Sequence, residues 1–159
     1  MYEKDTVDLE RFVTKHNERF DIALDEIRAG KKQSHWMWFI FPQIKGLGRS
    51  RTAQKYGISD LLEADALLRH PTLGQNYYAI VETTWVALVQ NNLDVVQMFG
   101  RVDARKLLSS LTLFEWAAAH LDSRYGPLPL SQMCAEIFEV HERHKRCPYT
   151  LRFIAESCD

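Results

Sequence analysis

The segment from residue 34 to residue 50 contains the side chains that are best suited to hold a ligand. A run of aromatic residues is followed by a turn with Gly46 and Gly48, and the turn leads into Arg49. Between residues 31 and 59 there are six Lys or Arg residues and no Asp or Glu. Glycines let backbone N–H groups converge on an anion, and a guanidinium can bind two phosphate oxygens at once. The segment therefore predicts an anion site.

The predicted anion site combines the glycine turn, its basic neighbours and the start of a helix near Ser50. Its ligand-binding residues are Trp36, Lys45, Gly46, Gly48, Arg49, Ser50 and Arg51. The positive end of the helix dipole would favour a phosphate at this position. The alternative is that two glycines make a tight connection and the arginines are simply solvated. The motif has neither the P-loop lysine nor the dinucleotide-binding glycine pattern.

His35 lies at the start of the aromatic run and is the candidate catalytic residue. Imidazole titrates near neutral pH, so His35 could carry a proton; the alternative is a structural hydrogen bond. Residues 36–41 are apolar on every face, which is typical of a segment buried on all sides. One tryptophan of this run could instead stack on a planar ligand such as a nucleobase. The side chains predicted to be buried are Phe12, Leu24, Trp38, Phe41, Leu108 and Phe114.

A second polar group lies between residues 103 and 112. Asp103 is predicted to cap a helix, with Lys106 on the same face, and the hydroxyls nearby are predicted to cap the next helix. These hydroxyl residues are Ser109, Ser110 and Thr112. No GxSxG elbow accompanies them, and the functional alternative is that they line the same cleft as His35 and Arg49.

No metal site is predicted from the histidines. His141 and His144 flank Glu142 with a spacing that superficially suits a metal, but no third ligand follows at a metal-site spacing. The sequence likewise identifies no cofactor.

Composition favours one soluble domain over residues 1–159. The formal net charge is −1, which disfavours a nucleic-acid protein that works through bulk charge. Three cysteines at irregular spacing indicate reduced thiols in the cytoplasm, although a Cys147–Cys158 disulfide stays open. The charged start of the chain does not resemble a secretory signal, and no apolar run approaches the roughly 20 residues that span a bilayer.

The elements that must position these residues are predicted to be helices. Apolar residues recur every three or four positions, and polar caps, glycines and prolines divide the chain. The predicted helical segments are Asp8 to Gly30, Ser34 to Pro42, Asp60 to Arg69, Pro71 to Asn91, Asp94 to Phe99, the segment after Asp103, and a last helix that begins near Ser131. The predicted fold is therefore all-α, with about seven helices and no significant sheet.

Several sequence blocks resemble the bacterial family known as domain of unknown function 1810. The blocks are HWMWFIFPQ, GLGRS, DLERF, ALDEIRAGKK, TAQKYGI, HPTLG and FGRVDARKLLSSLTLF. They cover most of residues 8–114, and the resemblance fades after Phe114, where residues 144–148 replace the turn expected in this family. The resemblance implies a mainly helical fold and no particular reaction.

The function predicted from the sequence is the binding of a phosphate-bearing small molecule, such as a nucleotide, in a cleft beside the GLGRS loop. Turnover of that ligand with His35 as proton carrier is left open. The alternative is a non-catalytic interaction module whose basic face, residues 31–55, meets an acidic protein or a nucleic acid. Neither a membrane partner nor a particular oligomeric state is indicated.

Overall fold

The structure is a computed structural model that describes residues 7–119, 121, 125–140 and 145–158. These residues form nine α-helices, rather than about seven. They are α1 (Glu10–Arg28), α2 (Met37–Ile40), α3 (Arg51–Tyr56), α4 (Leu61–Arg69), α5 (Leu73–Trp85), α6 (Val95–Phe99), α7 (Arg101–Ala118), α8 (Leu130–Val140) and α9 (Pro148–Ser157). A π-helical turn, Val86–Gln90, continues α5. The described residues contain no strand, only an isolated parallel bridge between Ile44 and Ile58.

Helices α5 and α7 form the centre of the molecule. Helix α5 packs against α1, α4 and α8, while α7 packs against α4, α6, α8 and α9. Aromatic rings fill the space between them: the Tyr77 ring centroid lies 4.5 Å from that of Phe114 and 6.1 Å from that of Phe41. All three side chains are almost completely buried, so this cluster fixes the segment of α2 against α5 and α7.

Several predicted helix ends are confirmed. The Ser50 side chain accepts a hydrogen bond from the Ala53 N–H (3.1 Å) at the start of α3. In the same way, the Asp60 carboxylate accepts from the Glu63 N–H (2.8 Å) at the start of α4. Such caps satisfy backbone donors that have no partner inside the helix. Gly30 follows α1 with φ +82°, the left-handed conformation that glycine adopts without strain.

Helix α7 is one continuous helix, which corrects the predicted division of residues 103–116. Asp103 lies in its first turn instead of capping it. The three hydroxyl residues predicted as caps are buried inside the helix and paired: Ser110 with Tyr77 (2.9 Å), Ser109 with Thr150 (3.2 Å) and Thr112 with the Leu108 carbonyl (2.7 Å). Because each hydroxyl is satisfied, none interrupts the helix.

Two other predictions about helix positions are wrong. Ser34 does not cap the short segment that follows it, because α2 begins at Met37 and the Ser34 hydroxyl donates to Glu26. The predicted last helix is α8, and α9 follows it with Pro148 in its first turn, where proline lacks only an N–H that would be unpaired anyway.

Four of the six predicted core side chains are buried: Phe12, Phe41, Leu108 and Phe114. Leu24 and Trp38 are only partly buried. Trp38 is not enclosed because it forms part of a cavity wall, described below.

His16 is a buried polar residue on α1 with a structural role. Its Nδ1 lies 3.3 Å from the Phe39 carbonyl oxygen and its Nε2 lies 3.0 Å from Asn76 Nδ2. A neutral ring satisfies both contacts, donating from Nδ1 and accepting at Nε2. Burial lowers the pKa of His16, against the opposing effect of the Phe39 carbonyl.

None of the helices in the described part of the chain is long and apolar enough to cross a membrane. Cys147 and Cys158 are both free thiols, so the alternative of a disulfide between them is not realised.

Candidate functional site

The segment before α2 is held in place by one carboxylate, that of Glu26. Its Oε1 accepts hydrogen bonds from the backbone N–H groups of Gln33 (2.8 Å) and Ser34 (2.9 Å) and from the Trp36 indole N–H (2.9 Å). Desolvation alone would raise the pKa of Glu26, but the hydrogen bonds, led by that of the Ser34 hydroxyl, lower it to about 2. Glu26 therefore fixes the point at which the chain enters α2.

The glycine turn of residues 45–50 is anchored at both sides. Lys45 N–H donates to the Ile58 carbonyl (2.8 Å), while the Lys45 carbonyl accepts from the Tyr149 hydroxyl (3.3 Å). Gly46 has φ +106°, and a Cβ at this position would lie 2.1 Å from the Tyr149 hydroxyl oxygen. A side chain at Gly46 would therefore strain the backbone and would have to displace the exposed Tyr149 ring of α9.

Gly48 brings the turn close to Trp38. A Cβ added to Gly48 would lie 2.7 Å from Ala53 Cβ and 3.4 Å from the Trp38 ring. The absence of a side chain therefore lets the loop pack on the edge of the indole.

A cavity of about 600 Å³ opens between the loop, Trp38, the first half of α7 and the segment that leads into α9. Much of its wall is apolar, and the apolar residues come from four separate parts of the chain. They are Trp38, Leu47, Val102, Leu108 and Pro148. A cavity of this volume falls in the range of about 300–1,000 Å³ that is typical of small-molecule sites.

The charged residues that line this cavity are all cationic. Arg105 and Lys106 project from α7, Lys145 precedes α9, and no described carboxylate is among the lining residues. Lys106 Nζ lies 4.6 Å from the centroid of the Trp38 ring and 3.6 Å from Asp103 Oδ1. Three positive charges in one partly enclosed volume attract an anion more strongly than the same charges in open solvent.

One wall of the cavity depends on the attachment of α9 to α7. The Arg146 guanidinium forms two hydrogen bonds of 2.7 Å to the Glu115 carboxylate. The Cys147 N–H donates to the Thr112 hydroxyl (3.0 Å), which is itself buried in α7. These bonds set the position of Lys145, which comes just before them in the chain.

Gln43 is the most buried polar residue in the cavity wall, with an exposed fraction of 2%. Its side-chain Nε2 donates to the Phe41 carbonyl (3.2 Å), and its backbone carbonyl accepts from the Ile58 N–H (2.8 Å). No hydrogen bond joins a donor of the described residues to its Oε1. Oε1 is not one of the fully buried atoms without a partner, so it is open to water in the cavity. Because the Phe41 carbonyl requires a donor, the amide orientation is fixed and Oε1 is the atom left without a protein partner.

A second, smaller cavity of about 330 Å³ shares Trp38 and Lys106 with the first. His35 lines this smaller cavity, together with Lys32 and Asp103. Lys32 Nζ lies 2.8 Å from Asp103 Oδ2, so the one carboxylate here contacts two lysines. Asp103 therefore neutralises part of the charge of the smaller cavity and of Lys106, whereas Arg105 and Lys145 in the larger cavity have no ion pair with a described carboxylate.

The loop residues predicted to bind a ligand are divided between cavity and surface. Gly48 lines the larger cavity, together with Leu47, whereas Lys45, Gly46, Arg49, Ser50 and Arg51 do not. Arg49 and Arg51 are exposed, and no carboxylate of the described residues lies within 4.0 Å of either guanidinium. Ser50 caps α3, a helix of six residues.

Of the two tryptophans at the start of the aromatic run, Trp38 is the ring of the larger cavity. Trp36, the predicted ligand-binding residue, is only 1% exposed, and its indole N–H is bonded to Glu26. It contributes to the smaller cavity but is mainly a core side chain.

Sequence reasoning missed Arg105, Lys145 and Gln43 as candidates. Arg105 and Lys145 are distant from the glycine turn in the chain, and neither belongs to a recognisable motif. Gln43 lies inside the aromatic block, but only its burial distinguishes it from an ordinary surface glutamine.

In the residues that the structure describes, no three His, Cys, Asp or Glu side chains come together as metal ligands would. His141 and His144, which were predicted not to form a metal site, lie outside the described residues, so that statement stays a prediction.

These features define an all-α protein with a cation-lined cavity between a glycine turn and two helices. The chain belongs to the family described as "Protein of unknown function (DUF1810)", which matches residues 6–143. The structure is also similar to a crystal structure of a conserved hypothetical protein from Mycobacterium tuberculosis. The two are 34% identical, with a TM-score of 0.78, over 91% of this chain and 94% of that one. No curated protein sequence matches this chain.

Proposed function

We propose that this protein binds a phosphate-bearing small molecule in the larger cavity. The observation that supports the proposal is the convergence of Arg105, Lys106 and Lys145 on a volume of about 600 Å³ without a described carboxylate among the lining residues. Arginine and lysine are the residues that proteins use to hold phosphate, and hydrogen bonds between charged groups are the strongest available. Free thiols at Cys134, Cys147 and Cys158 support a cytoplasmic location.

The proposed phosphate site lies beside the glycine turn and differs in its cations from the site predicted from the sequence. The dipole of a six-residue helix such as α3 is short, and Ser50 already caps it. Arg49 and Arg51 do not line the cavity, whereas Arg105 and Lys145, which are also exposed, do line it. We therefore assign the phosphate to the cavity cations.

A role for His35 depends on the length of the ligand. His35 lines the smaller cavity, which meets the larger one at Trp38 and Lys106. Proton transfer by His35 requires a ligand that extends past Lys106 into the smaller cavity.

The test is a thermal-shift screen with inorganic phosphate, sugar phosphates, nucleotides and dinucleotides, followed by calorimetry on each stabilising ligand. A ligand that binds only the folded state raises the melting temperature by mass action. Arg105→Gln and Lys145→Gln should each weaken binding roughly ten-fold, because each removes a charge-assisted contact. Arg49→Gln is the matched control, since it removes the same charge from the exposed side of the turn and should change the affinity by less than about two-fold. A larger loss of affinity for Arg49→Gln than for Arg105→Gln would mean that the phosphate binds at the glycine turn instead of in the cavity.

Arg49 and Arg51 are exposed and form no ion pair with a described carboxylate, which favours a second candidate function, an interaction face for an acidic macromolecule. In that case no small phosphate compound would stabilise the protein. The Arg49→Gln, Arg51→Gln double variant would lose affinity for an acidic polypeptide such as polyglutamate, whereas Arg105→Gln would retain it.

A further inference from the structure

We infer that the ligand of the larger cavity is a planar heteroaromatic phosphate, whose ring lies against Trp38 and whose N–H group donates to Gln43 Oε1. This inference rests on the proposed function and adds the chemical class of the ligand. Two observations carry it, and both are independent of the cationic side chains.

The first observation is the partial exposure of Trp38. The side chain belongs to a block that is otherwise mostly buried, yet its ring faces the cavity beside Leu47 and Val102. Val102 is 60% exposed and Leu47 is 36% exposed, so the apolar wall continues to the mouth of the cavity. A flat apolar group of a ligand would cover this surface, and an indole is the best stacking partner that a protein can offer.

The present partner of the Trp38 ring is the Lys106 ammonium group, 4.6 Å from the ring centroid. A cation over an aromatic face is held only weakly at an exposed site. Asp103 holds the same ammonium group only loosely, at 3.6 Å. A phosphate in the cavity offers Lys106 a stronger contact than either, so ligand binding draws the ammonium group off the ring and frees the indole for stacking.

The second observation is the unpaired Gln43 Oε1. The exposed fraction of Gln43 is 2%. Hydrogen bonds of both its side chain and its backbone fix its position. An acceptor that faces a cavity and has no donor from the described residues selects a ligand with a donor in place of water. The N–H groups of nucleobases and similar heterocycles are donors that lie in the plane of a stacked ring.

The test compares three kinds of phosphate by calorimetry on the unmodified protein. They are the four ribonucleoside monophosphates, ribose 5-phosphate, which lacks the ring, and 1-naphthyl phosphate, which has a ring without an N–H donor. We expect at least one nucleoside monophosphate to bind roughly ten-fold or more tightly than ribose 5-phosphate, with 1-naphthyl phosphate between them.

Two variants separate the ring contact from the hydrogen bond. Gln43→Met should weaken binding of the best nucleotide roughly ten-fold and leave 1-naphthyl phosphate unchanged. Trp38→Leu should weaken both ring-bearing ligands and leave ribose 5-phosphate unchanged, and Trp38→Phe should restore part of the loss. Because each variant carries its own control ligand, a general loss of structure would show itself as an equal loss for all ligands.

The outcomes distinguish a failure of the inferred ligand class from a failure of the proposed phosphate binding. Equal affinity for ribose 5-phosphate and every nucleotide overturns the inference and leaves the proposed function standing. So does an equal effect of Gln43→Met on nucleotide and naphthyl phosphate when the affinity for ribose 5-phosphate is unchanged. No binding of any phosphate compound overturns both. A short single-stranded oligonucleotide supplies the same chemistry from another source, and tighter binding of the strand than of any free nucleotide would overturn the assignment to a small molecule.

Discussion

Replacing Glu26 by alanine should destabilise the protein by about 2–3 kcal/mol at pH 7. The main cost comes from the indole N–H of Trp36, a residue that is only 1% exposed. This N–H would lose its only acceptor among the described residues. Leaving a buried donor unpaired costs about 1–3 kcal/mol. The N–H groups of Gln33 and Ser34 are closer to solvent and can bond to water, so they add little. The expected loss is a large fraction of a typical stability of about 5–15 kcal/mol.

Glu26→Gln separates the charge of this residue from its hydrogen bonds. The amide keeps an acceptor for the Trp36 N–H, and the Ser34 hydroxyl can rotate to accept from the new NH₂ group. We therefore expect a loss of about 1 kcal/mol, smaller than for alanine. Glu18→Gln is a control, because that carboxylate is half-exposed and lies 3.7 Å from Lys15; its loss should stay below about 0.5 kcal/mol.

The difference between the parent and Glu26→Gln should also depend on pH. The pKa of Glu26 is lowered from 4.5 to about 2 in the folded state, so its contribution is complete above pH 4.5 and is lost as the pH falls towards 2. Urea unfolding of both proteins at pH 7 and at pH 3 measures this change, and the other carboxylates cancel in the comparison. An equal difference at the two pH values, or an alanine variant as stable as the parent, would refute the assigned role of Glu26.

Two further predictions concern the stability of core variants, and one concerns the loss of stability at low pH. Phe41→Ala should cost about 3–5 kcal/mol in urea unfolding, because the ring is completely buried. Trp38→Ala should cost clearly less, since that ring is only partly buried and lies in a cavity wall; equal losses would contradict this difference. His16 should make the protein less stable as the pH falls below 6.5, because its pKa is lowered in the folded state and the neutral ring is the form that fits. His16→Gln should reduce the slope of melting temperature against pH between about pH 5 and 7. An unchanged slope would show that other groups cause the pH dependence of stability.

The sequence was sufficient for helices whose ends carry local signals. Ser50, Asp60 and Asp94 each cap the helix that follows, and in each case the partner is a backbone N–H three residues away. Short-range hydrogen bonds of this kind depend only on neighbouring residues. Their positions can therefore be read without knowledge of the fold.

Where partners come from distant parts of the chain, the sequence predicted the wrong structure. Ser109 and Ser110 look like helix caps, but Thr150 and Tyr77 satisfy them inside α7. The candidate site shows the same limit. The basic segment and its glycines predicted a site beside the turn, and Gly48 lines the cavity there. Arg105 and Lys145 line the same cavity only because α7 and the segment before α9 fold against the turn.

The wall formed by residues 145–148 lies just beyond residue 143, where the family match ends. It is fastened to α7 through the side chains of Glu115 and Thr112, while the core rings are held elsewhere. Lys145 or Pro148 can thus be exchanged at little cost to folding, whereas Gln43 and Trp38 are set by the buried segment around them. We therefore expect the wall of residues 145–148 to vary more among related proteins than the wall formed by Gln43 and Trp38. Homologues that share the helical core are expected to differ in ligand preference first at residues 145–148.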